Sequence, residues 1–522
     1  MPHDTIAAIA TATGAAGLAV VRVSGPGALA AADAVFAGGA PLADAAANTL
    51  HHGWAVWPAA AVAGGAPARA LPAQGRAPRP AGQDDVAAAK RRQAAGPPGE
   101  QSPPGRSGAA GERACTDNAG IAPGTRLDEV VVAVFRAPRS YTREDVVELS
   151  CHGGALCAAR VLAALLAAGA RLARPGEFTL RAFLSGRLDL AQAEAVADLI
   201  HAETESAHAL AVSQLGGELS RRLAAVAEAV RDAAAEVEAR VDFAEDVGGI
   251  EVPAHVVESV AAAEAALAAL LAGSAWARTV REGVRVTLVG RPNAGKSSLF
   301  NALLGDARAI VTGQPGTTRD LVSEGLEVAG ARVTLVDTAG LREGGDEIEA
   351  LGVARARASL ETSAVVLWVV DRAAPLAEED RRIAERLAGR RVLVALNKSD
   401  LPPAVAPGEI GSLLDGVPHR AVAVSALRGD GIVELTGALA ALLGTGRAGG
   451  LAGAVGNRRH ADALERARAA LARATGAARA GAPGEIVALE LRDGLSAIGE
   501  VTGESVDEDL LDRIFSRFCV GK

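Results

Sequence analysis

A chain of 522 residues exceeds what one hydrophobic core ordinarily organises, so two or three domains are expected. Apolar residues make up 49% of it but aromatic ones only 2%, which favours packed helices built from Ala, Leu and Val over aromatic-rich sandwiches. A formal charge of −9 argues against a protein that grips nucleic acid by its overall field, and four scattered cysteines argue against a disulfide framework or a paired-CxxC zinc site.

The chain opens MPHDTIAAIATATG, with no basic n-region, and no uncharged apolar run of about 18 residues follows, so a soluble, cytoplasmic protein with no membrane partner is expected. GLAVVRVSG reads as a strand, as do LDEVVVAVF and DVVELSCHGG further on. Between them, residues 58–123 hold 10 of the 24 prolines and no aromatic residue. Such a stretch cannot bury enough apolar surface to offset its ordering entropy, and reads as a disordered insertion in which Lys90 and Cys115 carry no function. Cys151 and His152, in SCHGG, read as part of a structural turn. The expected first domain is α+β, residues 1–187.

From Leu188 to 282 the pattern is helical, with Leu and Val at threes and fours among alanines. From 283 to 447, short apolar strands (VRVTLVG, RVTLVDT, AVVLWVV, RVLVALN) alternate with helical stretches, which predicts a doubly wound parallel sheet. Helix resumes over 448–522, so an α/β domain is expected inside a helical one.

The α/β segment carries the chemistry. GRPNAGKSS, from Gly290, follows a strand directly and fits the phosphate loop, whose inward backbone N–H groups and helix N-terminus hold phosphates. The chain has 49 arginines and four lysines, Lys90, Lys296, Lys398 and Lys522, so a lysine marks a place whose geometry arginine meets poorly. Lys296 is expected on the β- and γ-phosphates and Ser297 on Mg²⁺. In VDTAG, Asp337 supports the metal through water, and the backbone through Gly340 meets the γ-phosphate. In NKSD, Asp400 accepts from N1–H and N2–H of guanine, a donor pair that adenine lacks. Lys398 lays its stem on the base, and Ser425 and Ala426 complete the guanine contacts. Thr318, in GTTRD, is placed to reach Mg²⁺ from a switch segment.

Many GTPases keep a water-orienting glutamine after DTAG; here the position is Leu341, which cannot do that work. Arg342, Glu343, Asp346, Glu347, Glu349 and a cation near the phosphates are the candidates. Asn293 could offer its side-chain carbonyl to a monovalent ion, or could simply form the turn.

In order and spacing these motifs resemble the translation-factor-related GTPases, specifically the TrmE-Era-EngA-YihA-Septin-like class. With RPGEFTLRAFLSGRLDLAQAEAVADLI upstream and FCVGK at the end, the chain resembles the tRNA modification GTPase family MnmE, also called TrmE, over all but residues 58–123. The resemblance implies GTP contacts from Asn293, Ala294, Gly295, Lys296, Ser297 and Ser298, and from Thr312, Gly313, Gln314, Pro315, Gly316, Thr317 and Thr318. It extends them to Asp337, Thr338, Ala339, Gly340, Asn397, Lys398, Ser399, Asp400, Ser425, Ala426 and Leu427. It implies K⁺ held by Asn293, Thr312, Gln314 and Thr317, Mg²⁺ by Ser297 and Thr318, and Glu349 orienting water.

It also implies a homodimer whose first domain binds 5-formyl- or 5,10-methylene-tetrahydrofolate through Arg22, Glu148, Arg187 and Lys522. Arginine can hold a folate carboxylate or ring oxygen, and a buried Glu can accept from the pterin; alone, each residue would read as an ordinary surface charge. A further implication is the FAD-containing partner MnmG (GidA), with which the family adds an aminomethyl or carboxymethylaminomethyl group to C5 of the tRNA wobble uridine. A ribosome-assembly switch GTPase is the alternative reading, and a stand-alone folate-dependent transferase a third.

The terminal run SVDEDLLDRIFSRF is expected to form a helix opened by a capping box, Ser505 with Glu508, that buries Leu510, Leu511, Ile514, Phe515 and Phe518. Cys519 beyond it is a candidate nucleophile, against which a helix C-terminus and the α-carboxylate both act. Lys522 is the firmer ligand.

Overall fold

The computed structural model describes residues 4–12, 14–59, 121–243, 251–306, 323–337, 363–444 and 453–522. Most of the expected insertion lies outside them, with Lys90 and Cys115. So do Thr312, Gly313, Gln314, Pro315, Gly316, Thr317, Thr318, Thr338, Ala339, Gly340, Leu341 and Glu349.

The chain forms two compact units, residues 1–187 with 509–522, and residues 188–508. In the first, seven strands form one sheet: β1 (Ile6–Ile9), β2 (Leu18–Ser24), β3 (Phe36–Gly38), β4 (Thr49–Val56), β5 (Arg126–Phe135), β6 (Val146–His152) and β7 (Arg171–Leu172). Their order is β3-β4-β5-β6-β2-β1-β7, antiparallel except where β1 meets β7. Alternation puts Val21, Val23, Val132, Val134, Val147 and Leu149 on one face, against Val161, Leu162 and Leu165 of the helix Ala155–Ala167. The stretches expected as strands are β2, β5 and β6. β4 lacks a clean apolar alternation, its Leu50 and His52 being exposed while Gly53 and Ala55 are buried, and only pairing with β5 makes it regular.

In the second unit the helices Glu218–Asp242, Ala254–Leu271, Arg458–Arg479 and Gly484–Thr502 share a core that includes Leu223, Val230, Leu267, Leu464, Leu471 and Leu491. Among the described residues one helical stretch is long and apolar enough by composition to cross a membrane, Ala254–Glu282; its Val256, Val260, Ala263 and Leu267 lie in this core. Glu194, on the helix Leu190–His201, is buried against His460 and Arg459, the latter at 2.8 Å. Burial pushes its carboxyl up, but the His460 and Arg459 charges more than offset this and hold it at about 2. A lowered carboxyl stabilises the fold above its unfolded value of 4.5 and ceases to do so as pH falls towards 2. The melting temperature of this unit is therefore expected to drop across that window, and Glu194→Gln to flatten the slope in a pH series of thermal melts.

Between the helices ending at Glu282 and starting at Arg458 lies the second sheet: β8 (Val284–Val289), β9 (Ser323–Val328), β10 (Ala331–Asp337), β11 (Val365–Asp371), β12 (Val392–Asn397) and β13 (His419–Ala423). The order is β13-β12-β11-β8-β10-β9, parallel throughout except for the antiparallel edge strand β9. The central strands are near-continuous apolar runs because helices cover both faces. Lys296–Asp306 and Ile432–Leu443 pack on one side, Glu378–Arg386 and Pro407–Leu413 on the other.

The last helix runs Glu508–Phe515, so the residue ahead of its first turn is Asp507 and not Ser505. Ser505 instead follows the end of the preceding helix, its amide bonded to Gly499 O at 3.2 Å. Of the expected apolar face, Phe515 and Phe518 are buried while Leu510, Leu511 and Ile514 are half-buried.

Candidate nucleotide site and a second pocket

β8 delivers the chain to Gly290, where the backbone takes φ 154° and a Cβ would lie 2.2 Å from Val369 O on the neighbouring strand. Only glycine lets the loop leave the sheet there. Asn293 (φ 62°) and Gly295 (φ 92°) then turn the loop into the helix Lys296–Asp306, with Asn293 exposed and Ala294 buried. The Lys296 ammonium, nearly buried, donates to Gly290 O and Arg291 O at 2.8 Å each, so it sits inside the loop that would surround a phosphate. Ser297 and Ser298 are exposed on the first helical turn. Asp337 closes β10 beside β8.

The base end is built from the ends of β12 and β13. Asn397, buried, donates from Nδ2 to Ala294 O at 2.9 Å and accepts from Ala426 N at 3.1 Å. It therefore ties phosphate loop, NKSD and the segment after β13 together. A Cβ on Gly295 would lie 2.2 Å from that Nδ2, a second reason for glycine in the loop. Asp400 Oδ1 accepts from Ser425 Oγ at 2.7 Å, and this bond above all lowers its carboxyl below the usual range and keeps it ionised as an acceptor. Ser399 is fixed by its amide on Val424 O (3.0 Å), and Leu427 stands exposed beside the site. Lys398 (φ 63°) pairs with Asp371 Oδ2 at 2.6 Å, an anchor that no motif announces.

All of these groups lie beyond the carboxyl ends of parallel strands, where doubly wound sheets bind ligands. Donors that suit phosphate stand at one end and an ionised, hydroxyl-held Asp at the other, an arrangement that fits a base with two adjacent N–H donors. That combination defines a phosphate-loop guanine-nucleotide-binding domain.

The first unit holds a pocket of about 550 Å³ lined by Phe135, Tyr141, Arg143, Glu148 and Arg187, among others. β2–β6 pairing sets Arg22 opposite Glu148, and Arg22 Nε meets Glu148 Oε1 at 2.7 Å. The guanidinium groups of Arg22 and Arg187 lie 5.2 and 4.8 Å from the centre of the Tyr141 ring, and Arg187 also donates to Tyr141 O at 2.9 Å. Thus Glu148 and Arg187 line the pocket and Arg22 is paired at its wall. Sequence reasoning passed over Tyr141, whose one signal is that it is the chain's only tyrosine.

The tail is pinned in the same unit. Gly176 N donates to Cys519 O (3.3 Å), Val520 packs on the cluster of Ile6, Ala8, Ala173 and Phe178, and Arg22 Nη1 reaches Gly521 O at 3.5 Å. Gly521 takes φ 96°, and a Cβ there would lie 2.2 Å from Ile9 O. Cys519 is exposed, and Lys522 is half-buried but does not line the pocket. Cys151 is buried, which pushes its thiol up to about 11, and His152 hydrogen-bonds Asp128 at 2.7 Å. Both fit a structural role. Among the described residues no cluster of three metal-ligating side chains occurs.

Residues 190–519 match the family model described as the MnmE helical domain, and residues 81–187 that of the GTP-binding protein TrmE N-terminus. The tRNA modification GTPase MnmE of Symbiobacterium thermophilum is 41% identical over 530 residues, covering 100% of both chains. That of Moorella thermoacetica is 46% identical over 409 residues, covering 76% of this chain and 87% of its own. The TrmE match begins inside the stretch read above as an insertion, and the Symbiobacterium alignment spans that stretch. A solved structure of Aquifex aeolicus Era bound to GDP·AlF4⁻ aligns with 32% of this chain and 57% of its own at 30% identity, with a TM-score of 0.26, too low to bear on the fold. The chain belongs to the tRNA modification GTPase MnmE family.

Proposed function

We infer that the GTP hydrolysis this family member performs in tRNA modification is potassium-dependent. We further infer that it serves, in the cytoplasm and with an FAD-containing partner of the MnmG (GidA) type, to add an aminomethyl or carboxymethylaminomethyl group to C5 of the wobble uridine of certain tRNAs. The observation that carries this reading is the joining of Asp400, Ser425, Asn397 and the phosphate loop into one guanine-nucleotide site on a chain with a separate arginine- and glutamate-lined pocket.

In that site Lys296 holds the β- and γ-phosphates, Asp400 the guanine edge and Lys398 the face of the base. Ser297, exposed at the head of the helix, fits a Mg²⁺ that Thr318 would also hold. Asn293, exposed with its backbone turned left-handed, fits the K⁺ that Thr312, Gln314 and Thr317 would complete. Held by these residues, the cations would supply positive charge for the phosphoryl oxygens. Glu349 orients the attacking water. Leu341 cannot, being apolar.

In the first unit the volume of about 550 Å³ suits a tetrahydrofolate, 5-formyl or 5,10-methylene, as one-carbon donor. Glu148 accepts from the pterin N–H groups, Arg22 and Arg187 hold carboxylate or ring oxygen, and Lys522 contributes from the tail beside Arg22. Cys519, exposed on the tail, is the candidate nucleophile. A homodimer is the working form.

Hydrolysis of GTP assayed in K⁺ and in Na⁺ is expected to be many-fold faster in K⁺; equal low rates would sink the cation mechanism. Mass spectrometry of tRNA nucleosides from a deletion strain is expected to show unmodified wobble uridine. Normal nucleosides with co-purifying ribosomal subunits would favour a ribosome-assembly switch instead.

A further inference from the structure

The phosphate loop is held at its far end by Asn397 on Ala294 O, and a second anchor holds its near end. Arg291, the residue after Gly290, extends its guanidinium to Asp380 on the helix Glu378–Arg386, with Nε 3.0 Å from Oδ2. The arginine side chain is 18% exposed and the aspartate 1%. No motif in the sequence marks Asp380.

Two roles are open to this carboxylate. Its Oδ2 accepts from Ala377 N at 2.9 Å, which closes the first turn of its own helix. Capping alone, however, does not need a charge, and caps ordinarily stand in water. Here the carboxylate is buried, and Oδ1 is buried with no hydrogen-bond partner. Burial raises its pKa, with the nearby Glu379 and Asp371 charges adding to the rise and Arg291 opposing it. Buried ion pairs are weak sources of stability, often matched by an apolar pair of similar volume. What the charge adds is a directional tether on a loop residue.

That tether leads to the lysine of the loop. The carbonyl of Arg291 is one of the two that accept from the Lys296 ammonium, the other being that of Gly290. A residue held at its side chain by Asp380 thus presents, at its backbone, an oxygen that aims the lysine. We propose that Asp380, acting through Arg291, is a positioning residue that sets the near end of the phosphate loop and the direction of Lys296 for nucleotide binding. The proposal rests on the reading of this loop as the seat of the GTP phosphates.

The test uses the full chain, fluorescent GDP titration and steady-state GTP hydrolysis on Asp380→Asn, Arg291→Met and the double variant, with folding checked by circular dichroism. Asp380→Asn keeps an acceptor for Ala377 N, so a pure cap would leave nucleotide affinity within twofold. Positioning predicts that each single variant raises the Kd for GDP and the KM for GTP about tenfold, and that the double variant is no worse than the poorer single, because the two act as one unit. Rescue in Arg291→Lys, which retains the charge without the planar fork, is expected to be partial. Unchanged affinity in folded single variants, or losses that multiply in the double, would overturn the proposal.

If the single variants fail to fold, Arg291→Met with Asp380→Leu replaces the buried pair by an apolar contact. Native affinity in that chain overturns the proposal, and a tenfold weaker Kd supports it. Failure of the unmodified chain to bind GDP would instead remove the nucleotide reading, and this proposal with it.

Discussion

Asp400→Asn is expected to weaken GTP binding by about 10³-fold and to let xanthosine triphosphate take its place. Asp400 presents an ionised carboxylate held by Ser425 Oγ at 2.7 Å on Oδ1, with Oδ2 and the second lone pair of Oδ1 open to guanine N1–H and N2–H. The variant loses one charge-assisted hydrogen bond outright, weakens the other to a neutral one and sets an amide N–H against a guanine N–H, together about three decades of affinity. The amide retains one acceptor and gains a donor. Xanthine carries a carbonyl where guanine carries its amino group, so the new pair is matched and the old one is not. Because Asn397, and not Asp400, braces the loop at Ala294 O, the phosphate end should stay intact. Competition of labelled GDP by GTP, XTP and ATP checks this. Unchanged GTP affinity, or no gain for XTP, would mean that Asp400 does not read the base.

The second large effect concerns the first unit. Arg181→Leu is expected to destabilise it by about 3–5 kcal/mol, the usual cost of removing one member of a buried charge cluster, and to lower its melting temperature by about 10 °C. Arg181 is 1% exposed. Its Nη1 donates to Asp4 O at 2.9 Å and Glu144 at 3.2 Å, and its Nη2 to Asp4 Oδ1 at 2.8 Å and Glu177 at 3.2 Å. Arg171 bonds Asp4 and Glu177 at 2.7 and 2.6 Å, so the variant would leave those two carboxylates sharing one guanidinium and strip Glu144 of its arginine.

The pH dependence distinguishes lost charge pairing from lost packing. Burial raises the carboxyls of Asp4 and Glu177, but the arginines overcome it and hold both below their usual 3.8 and 4.5. Their stabilisation is present above those values and disappears as pH falls through the lowered ones. The gap between the native chain and the variant should therefore be widest at neutral pH and narrow below about pH 4 in calorimetric melts. A gap that stays constant with pH would assign the loss to packing alone.

Much of the nucleotide site was legible because its parts are contiguous and local. A strand, a glycine that must leave it, a lysine and a helix start occupy one short run, and backbone sterics at Gly290 and Gly295 require that order of residue types. NKSD and the segment around Ser425 are likewise strand-end loops whose spacing is fixed by the strands before them. The capping of the last helix was misread for a related reason. Ser505 and Glu508 have capping-box spacing, but the amide of Ser505 is committed to Gly499 O at the end of the helix before, and the next helix starts only at Glu508.

By itself, then, the sequence determined the two kinds of layer and marked Asp400 and Lys296 as the candidates for reading guanine and holding phosphate, since each depends on neighbours a few residues away. Only the tertiary structure decided which distant charges meet. Arg22 faces Glu148 through the register of β2 on β6, Arg181 gathers Asp4, Glu144 and Glu177, Lys398 finds Asp371, and Arg291 finds Asp380. The reason is physical. An isolated Arg or Asp gains little from pairing in water, so nothing local in the chain specifies its partner; that choice is made by strand register and core packing, which bring the two together out of solvent.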